Sequence, residues 1–357
     1  RTGITGNEGD PSRRYLWTDA FAVEACFGIA RIFEKEEYRT RALKLIDLVH
    51  EHLGRYHPED PRKGWISGLP EEEGKLHPTR GGLRIGKRLP ERRTDESYNS
   101  QLEWERDGQY FHYITRWITA LLQAGDETGE ARYAIWAQEL MLAAGKFLYQ
   151  NNTGAGMYWK MDTELSRPLV VSMGAHDPLE GLICTKSIQK ALPEQASKLD
   201  TLVQQFEQLC SGREWSTSDS LGIGGLLLNT LHAALLDPSS QKLIPDVKPK
   251  KLFEESLFSL KIFSSCFAEK QNVNRRLAFR ECGLSLGIKA FHGMRNKITT
   301  PHLPINKLEK YLYIPEQIET FWLLSENQQT HAWQGNLDIN EISLACSLVA
   351  SQKPEVF

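Results

Sequence analysis

The chain has 357 residues, 40% of them apolar and 25% charged, the profile of an ordinary globular protein long enough for one large core or two average ones. Lys and Arg number 43 against 46 Asp and Glu, and a formal net charge of -3 gives no general case for binding nucleic acid. No apolar run approaches the ~18 residues that a membrane span requires, so neither a polynucleotide nor a bilayer is an expected partner.

The first expected element is a helix opened by Thr18-Asp19 and carried by AFAVEACFGIARIF, which is apolar or small nearly all round. EYRTRALKLIDLVHEHLG (37–54) follows, with Leu43, Ile46, Val49 and Leu53 on one stripe, so that its other face should meet water. Residues 55–106 then form a connection of about fifty residues, far above ordinary loop length, rich in Gly and Pro and read as a wall or lid without regular helix. Within it, HPTRGGLRIGKRLPER gathers Arg80, Arg84, Lys87, Arg88 and Arg92. Its GxxxxGK match is not a phosphate loop, because Arg88 stands where Ser or Thr must ligate magnesium and no apolar strand precedes it.

Asp107 opens the second apolar run, GQYFHYITRWITALL, and the amphipathic EARYAIWAQELMLAAGKFLYQ comes after it. MYWKM (157–161) and PLVVSM (168–173) are the strand signals. His176-Asp177 opens PLEGLICTKSI, followed by EQASKLDTLVQQFEQLC. Asp219 opens SLGIGGLLLNTLHAALL, whose glycines are expected to allow close helix packing, followed by KKLFEESLFSLKIFSSCF. Glu281 opens CGLSLGIKAFHGM and Asp338 opens INEISLACSLVAS, with no amphipathic segment recognisable after Ser351. Apolar helices alternating with amphipathic ones predict helical hairpins, the apolar members forming an inner ring and the amphipathic ones an outer ring.

That alternation, the acids opening the inner helices, and the segments RYLWTDAF, LEWERDGQYFHYITRW and MGAHDPLEGL resemble the six-hairpin glycosidase superfamily, from about Arg14 to Ala350. The resemblance implies an all-α fold, an (α/α)6 barrel forming a single domain over residues 1–357 with a long insertion at 55–106. Architectural relatives include glycoside hydrolases and the N-acylglucosamine 2-epimerase group, so a carbohydrate-active enzyme is the expected function.

In such a barrel the starts of the inner helices share one end, and Asp19, Asp107, Asp177, Asp219, Glu281 and Asp338 would line one cavity with His176 beside them. Clustered carboxylates acquire split pKa values, as glycosidic cleavage requires: one acid protonates the leaving oxygen while another activates water or attacks the anomeric carbon. Asp107 and Glu281 are the expected pair. Glu103, Glu105 and Asp107 crowd together with Trp104, Tyr110 and His112, and Glu281, a poor N-cap residue, has Arg280 beside it as the expected counter-ion. Asp19, Asp177 and His176 are further cavity residues. Against this reading, Asp caps helices well, Asp177-Pro178-x-Glu180 and Asp338-x-x-Glu341 have the form of caps, and Asp219 suits the same role.

Trp104, Tyr110, Trp159 and Trp333 fall at helix starts or in connections, where a flat ring can stack on a sugar, whereas Trp117 and Trp136 are expected in the core. Arg80 and Arg84 would clamp an anionic substrate group such as a carboxylate, sulfate or phosphate, or else belong to a solvated loop paired with the Glu71–Glu73 run. A second reading makes His112 and His176 the two bases of a sugar epimerase or isomerase. A third is a non-catalytic sugar-binding or scaffold protein, whose acids cap helices and face outward. Six cysteines without a CxxC pair are read as reduced, mostly core thiols, which favours the cytoplasm. No motif implies a cofactor or metal. The expected partner is a small-molecule or oligosaccharide substrate, and no pattern specifies an oligomeric state.

Overall fold

The computed structural model describes residues 14–152, 154–239, 241–267 and 272–357, and among them the chain is mostly helical, with 15 α-helices and little sheet. Two compact units are present, one comprising the chain up to Val23 together with Arg39–Leu209, the other Glu24–Tyr38 together with Cys210–Phe357.

The first unit takes the opening turns of α1 (Leu16–Phe33) and most of α2 (Glu36–Leu53), then α3 (Glu71–Leu76), α4 (Ser100–Glu105), α5 (Phe111–Thr128), α6 (Ala131–Ala144), α7 (Asp177–Ala191) and nearly all of α8 (Asp200–Cys210). Three of these run parallel. Thr115 of α5 donates to Glu180 Oε2 of α7 at 3.0 Å, and one turn further along both helices Thr119 meets Cys184. The start of α1 lies beside that of α5, where the Tyr15 and Tyr113 hydroxyls are 2.7 Å apart and Arg116 covers the Phe21 ring. The amphipathic helices run back. Trp117 of α5 donates to His50 Nε2 near the end of α2, while Arg39 near the start of α2 reaches the Glu127 carbonyl at the far end of α5. Gly129, at φ 72°, closes α5 with a left-handed residue that suits glycine and turns the chain into α6. Phe206, late in α8, packs on Phe111 at the start of α5.

A small sheet follows α6. Strands β1 (Gln109–Tyr110), β4 (Lys160–Met161) and β5 (Pro168–Val170) form an antiparallel set in the order β1-β4-β5, and β2 (Leu148–Asn151) pairs with β3 (Gly154–Met157) as a hairpin. The two strand signals in the sequence coincide with β3–β4 and β5.

The second unit contains α9 (Ser220–Leu236), α10 (Pro249–Cys266), α11 (Ala278–Gly293), α12 (Tyr313–Leu323), the single turns α13 (Ser325–Gln328) and α14 (His331–Gln334), and α15 (Leu337–Ala350). Here too the three acid-opened helices are parallel. Asp219 and Arg280 pair at the starts of α9 and α11, and further along Gly224 faces Gly283 and Gly287 so closely that any Cβ at 224 would overlap the Gly283 carbonyl. Between α11 and α15, the Phe279 amide donates to Asn340 Oδ1 (2.9 Å), Ser347 meets Ser285 (2.6 Å) and Lys289 meets Ser351 (2.6 Å), in that order along both helices. Return helices pack against them: Phe253, early in α10, stacks on Phe291, late in α11, and Trp322, late in α12, donates to Glu281, early in α11.

Three expectations need adjustment. The connection over 55–106 is not devoid of helix, since α3 and α4 each make about one and a half turns within it. The return helix α12 buries Ile314, Ile318 and Trp322 on one stripe and exposes Glu316 and Thr320, and it is not among the elements expected from the sequence. His176, not Asp177, is the N-cap residue of α7, and Asn336, not Asp338, precedes α15; neither side chain makes a capping bond. None of the six cysteines is in a disulfide; four are buried, Cys26 is half-buried and Cys266 exposed. Among the described residues no helix is long and apolar enough to cross a membrane.

The glycine contact between α9 and α11 is directly testable. Gly224→Ala is expected to destabilise the protein by about 1–3 kcal/mol through overpacking, whereas Gly225→Ala, with open space where its methyl would go, is expected to be neutral or to stabilise by up to about 1 kcal/mol. Thermal unfolding of the two neighbouring variants separates these outcomes.

Candidate functional site

The parallel starts of α1, α5 and α7 gather chemistry at one end of the first unit. Tyr15 stands just before α1, Tyr110, His112 and Tyr113 at the beginning of α5, and Trp159 leads into β4, which pairs with β1 immediately ahead of α5. Their rings form a continuous aromatic cluster: Tyr113 lies 4.7 Å from His112, Tyr110 6.0 Å from Trp159, and Trp104 stands edge-on to Trp159 at 5.3 Å. Trp104 is 46% exposed and Trp159 half-buried, so part of this cluster meets solvent, while Tyr110 is buried beneath it.

The Trp159 indole donates to His112 Nδ1 at 3.0 Å. An indole N–H can only donate, so Nδ1 is the acceptor and the proton of the neutral ring sits on Nε2. Burial among the rings lowers the His112 pKa to about 4, keeping the imidazole neutral at ordinary pH. His112 therefore presents a hydrogen-bond donor.

One turn before the Thr115–Glu180 contact lie His112, the second residue of α5, and Asp177, the first of α7. Asp177 is buried, and burial raises its carboxyl pKa to about 7, opposed by one hydrogen bond from the Gly174 amide at 3.0 Å. Gly174 is pressed against this carboxyl, and any Cβ there would collide with Oδ1. His176 is half-buried beside it, and Glu180 is half-buried one turn further along α7.

The expected carboxylate pair is placed differently. Asp107 is 0% exposed: its Oδ2 accepts from Arg84 Nη1 and its Oδ1 from the Gly86 amide. Arg84 is itself buried, with Nε on the Arg55 carbonyl and Nη2 on the His52 carbonyl, so all three guanidinium nitrogens face protein oxygens. Arg84 is thus a strut between the long connection and the body of the unit, not an open anion contact. Arg80 is exposed. Glu103 also turns inward, to Arg92 Nε (2.9 Å) and to the fully buried Lys160 Nζ (3.1 Å), whose remaining bonds go to the Glu103 and Arg106 carbonyls. Burial lowers the Lys160 pKa, opposed chiefly by Glu103. Asp19 is buried in the first turn of α1, 3.7 Å from Arg14 and accepting from the Tyr15 amide.

Glu281 lies in the second unit, 9% exposed, gripped by both Nε and Nη2 of Arg276 and by the Trp322 indole at 2.7 Å. The expected counter-ion Arg280 instead reaches Asp219, because adjacent helical residues diverge around the axis. Asp219 caps α9 through the Gly222 amide, as anticipated, and Asp338 is exposed in the first turn of α15. Trp333 is 2% exposed and packed on Trp322, a core residue rather than a stacking platform, and Trp117 and Trp136 are buried as expected. Among the described residues no group of three or more His, Cys, Asp or Glu side chains is arranged to hold a metal ion.

No family model matches the chain, and no curated protein is similar enough to count as a match.

Two substitutions test this electrostatic layout. Arg84→Met leaves Asp107 buried without its cation and is expected to cost about 3–5 kcal/mol, with Arg84→Met/Asp107→Asn recovering much of the loss in chemical denaturation. For Asp177 the folded pKa lies above the unfolded value of 3.8, so the native state holds the extra proton and stability falls as pH rises from about 4 to about 7. Asp177→Asn removes that dependence. It is expected to be more stable than wild type by on the order of a few kcal/mol above about pH 7, with the difference vanishing near pH 4.

Proposed function

We propose that the chain is a carbohydrate-active enzyme, a glycoside hydrolase built on an (α/α)6 barrel, in which Asp177 is the general acid. The observation carrying this reading is a buried, protonatable carboxyl at the start of α7 beside an aromatic face at the start of α5. A sugar ring stacks on the exposed edges of Trp104 and Trp159, and the Nε2–H of His112 donates to a ring or hydroxyl oxygen. Asp177, neutral up to about pH 7, delivers its proton to the leaving oxygen. Glu180, three residues on and thus on the same helical face, supplies the second carboxylate.

The barrel is supported by the same rule in both units: three acid-opened helices parallel, amphipathic helices returning antiparallel. Six cysteines without a disulfide accord with a reducing compartment such as the cytoplasm. An epimerase using His112 and His176 as bases is the weaker alternative, because His112 has its acceptor nitrogen occupied by Trp159 and offers a donor instead.

Release of reducing sugar from oligosaccharide and aryl glycoside panels tests the proposal. Asp177→Asn is expected to lower kcat by about 10²–10⁴ on substrates with poor leaving groups and far less on dinitrophenyl glycosides, which need no protonation. The wild-type rate is expected to decline above about pH 7 as Asp177 ionises. Loss of activity independent of the leaving group would remove Asp177 from the acid role, and wild-type inertness across the panel would overturn the hydrolase reading.

A further inference from the structure

At the opposite end of α11 and α15 from their acid-marked starts, the second unit holds a cleft of about 390 Å³, within the ~300–1,000 Å³ of small-ligand sites. Its polar end is formed by Lys289, Glu319, Ser351 and Glu316, and its walls by Leu312, Pro315 and Leu323. The polar end is ordered by a tight network. Lys289 Nζ donates to Glu319 Oε1, to Ser351 Oγ at 2.6 Å and to the Ser347 carbonyl at 3.3 Å, which occupies its three protons. Ser285 and Ser347 also direct their hydroxyls at the same oxygen of Glu319.

The other oxygen of Glu319, Oε2, has no protein partner among the described residues. Yet Glu319 is only 9% exposed and lines the cleft. An unpartnered oxygen of a largely buried carboxylate, opening into a cleft, is an acceptor awaiting a donor. The surrounding charge selects the kind of donor. The Lys289 charge is matched by Glu319, leaving the exposed Glu316 uncompensated. The ends of α11 and α15, marked by Gly293 and Ala350, bring two negative dipole ends to the cleft, against one positive end from α12, in whose first turn Glu316 sits. Among the described residues lining the cleft the one cation is Lys289, already paired with Glu319, and the walls are mostly apolar.

We infer that this cleft binds a small organic cation, a primary ammonium group carried on a short aliphatic chain, with the ammonium donating to Glu319 Oε2 and facing Glu316 while the chain lies against Leu312, Pro315 and Leu323. The site is independent of the proposed glycosidase chemistry, since all its residues belong to the second unit and none lies at the α5 and α7 starts.

Isothermal titration with n-butylammonium chloride, at constant ionic strength and with sodium butyrate, n-butanol and ammonium chloride as comparisons, tests the inference on the whole chain. Saturable binding of butylammonium alone is expected, weakened roughly tenfold by Glu316→Gln, a change at an exposed position that leaves the fold intact. Because Glu319→Gln alone would strand Lys289, the double variant Lys289→Met/Glu319→Gln, checked for folding by thermal unfolding, is the second probe; it is expected to abolish binding. Equal binding of butanol would reduce the site to an apolar hole, binding of butyrate would make Lys289 the recognising group, and equal binding of ammonium would remove the role of the walls. Each of these results, or unchanged affinity in both variants, overturns the inference.

Discussion

Packing three helices side by side in the same direction brings three positive dipole ends together, and each unit of this protein answers that repulsion with carboxylates at the helix starts. The remedy is general but its register is not. Asp219 precedes α9 as a true cap, Asp177 and Asp338 are the first and second residues of their helices, Asp19 and Glu281 are the fourth of theirs, and Asp107 stands four residues ahead of α5. One electrostatic need therefore produces a recurring sequence signal, while the local surroundings decide what each acid does. Asp107 and Glu281 meet buried arginines and become structural. Asp177 meets an amide, a glycine and apolar surface, and burial raises its pKa to about 7.

Helical character could be read from periodicity because burial all round and burial on one side of a helix leave different residue patterns. The glycines of α9 could be read too, since a run of small residues in a buried helix has few other uses. What escaped was whatever depends on partners distant in sequence. Nothing in the order of residues says that Arg84, in a Gly-rich connection, reaches Asp107, or that Arg276 rather than the adjacent Arg280 grips Glu281. Glu281 looked chemically interesting because Glu caps poorly, and the fold resolves this with a fork of hydrogen bonds from a residue five positions earlier.

The aromatic cluster was partly legible. Trp104, Tyr110, His112 and Trp159 were each singled out, but their convergence depends on β4 pairing with β1, two residues against two, which no propensity argument resolves. Tyr15 and Tyr113 were missed for the same reason: their contact joins positions on different helices, and neither residue is unusual in its own segment. Trp333 was misjudged because a position near a helix start indicates exposure only when no neighbouring helix covers it, and Trp322 does.

The connection over 55–106 is fastened at several points. Arg62 binds Asp60, Glu91 and Glu164, Arg84 binds Asp107, Arg92 binds Glu103, and Lys160 clasps the end of α4 from within. Those pairs order the segment around Arg62, Arg84 and Arg92 as part of the fold. Its conformational entropy is surrendered when the chain folds, not when a ligand arrives. Were a ligand to bind at the neighbouring aromatic face as proposed, the site would be preorganised on that side: association would not wait for a closing motion, and affinity would not be diminished by the ordering of a loop.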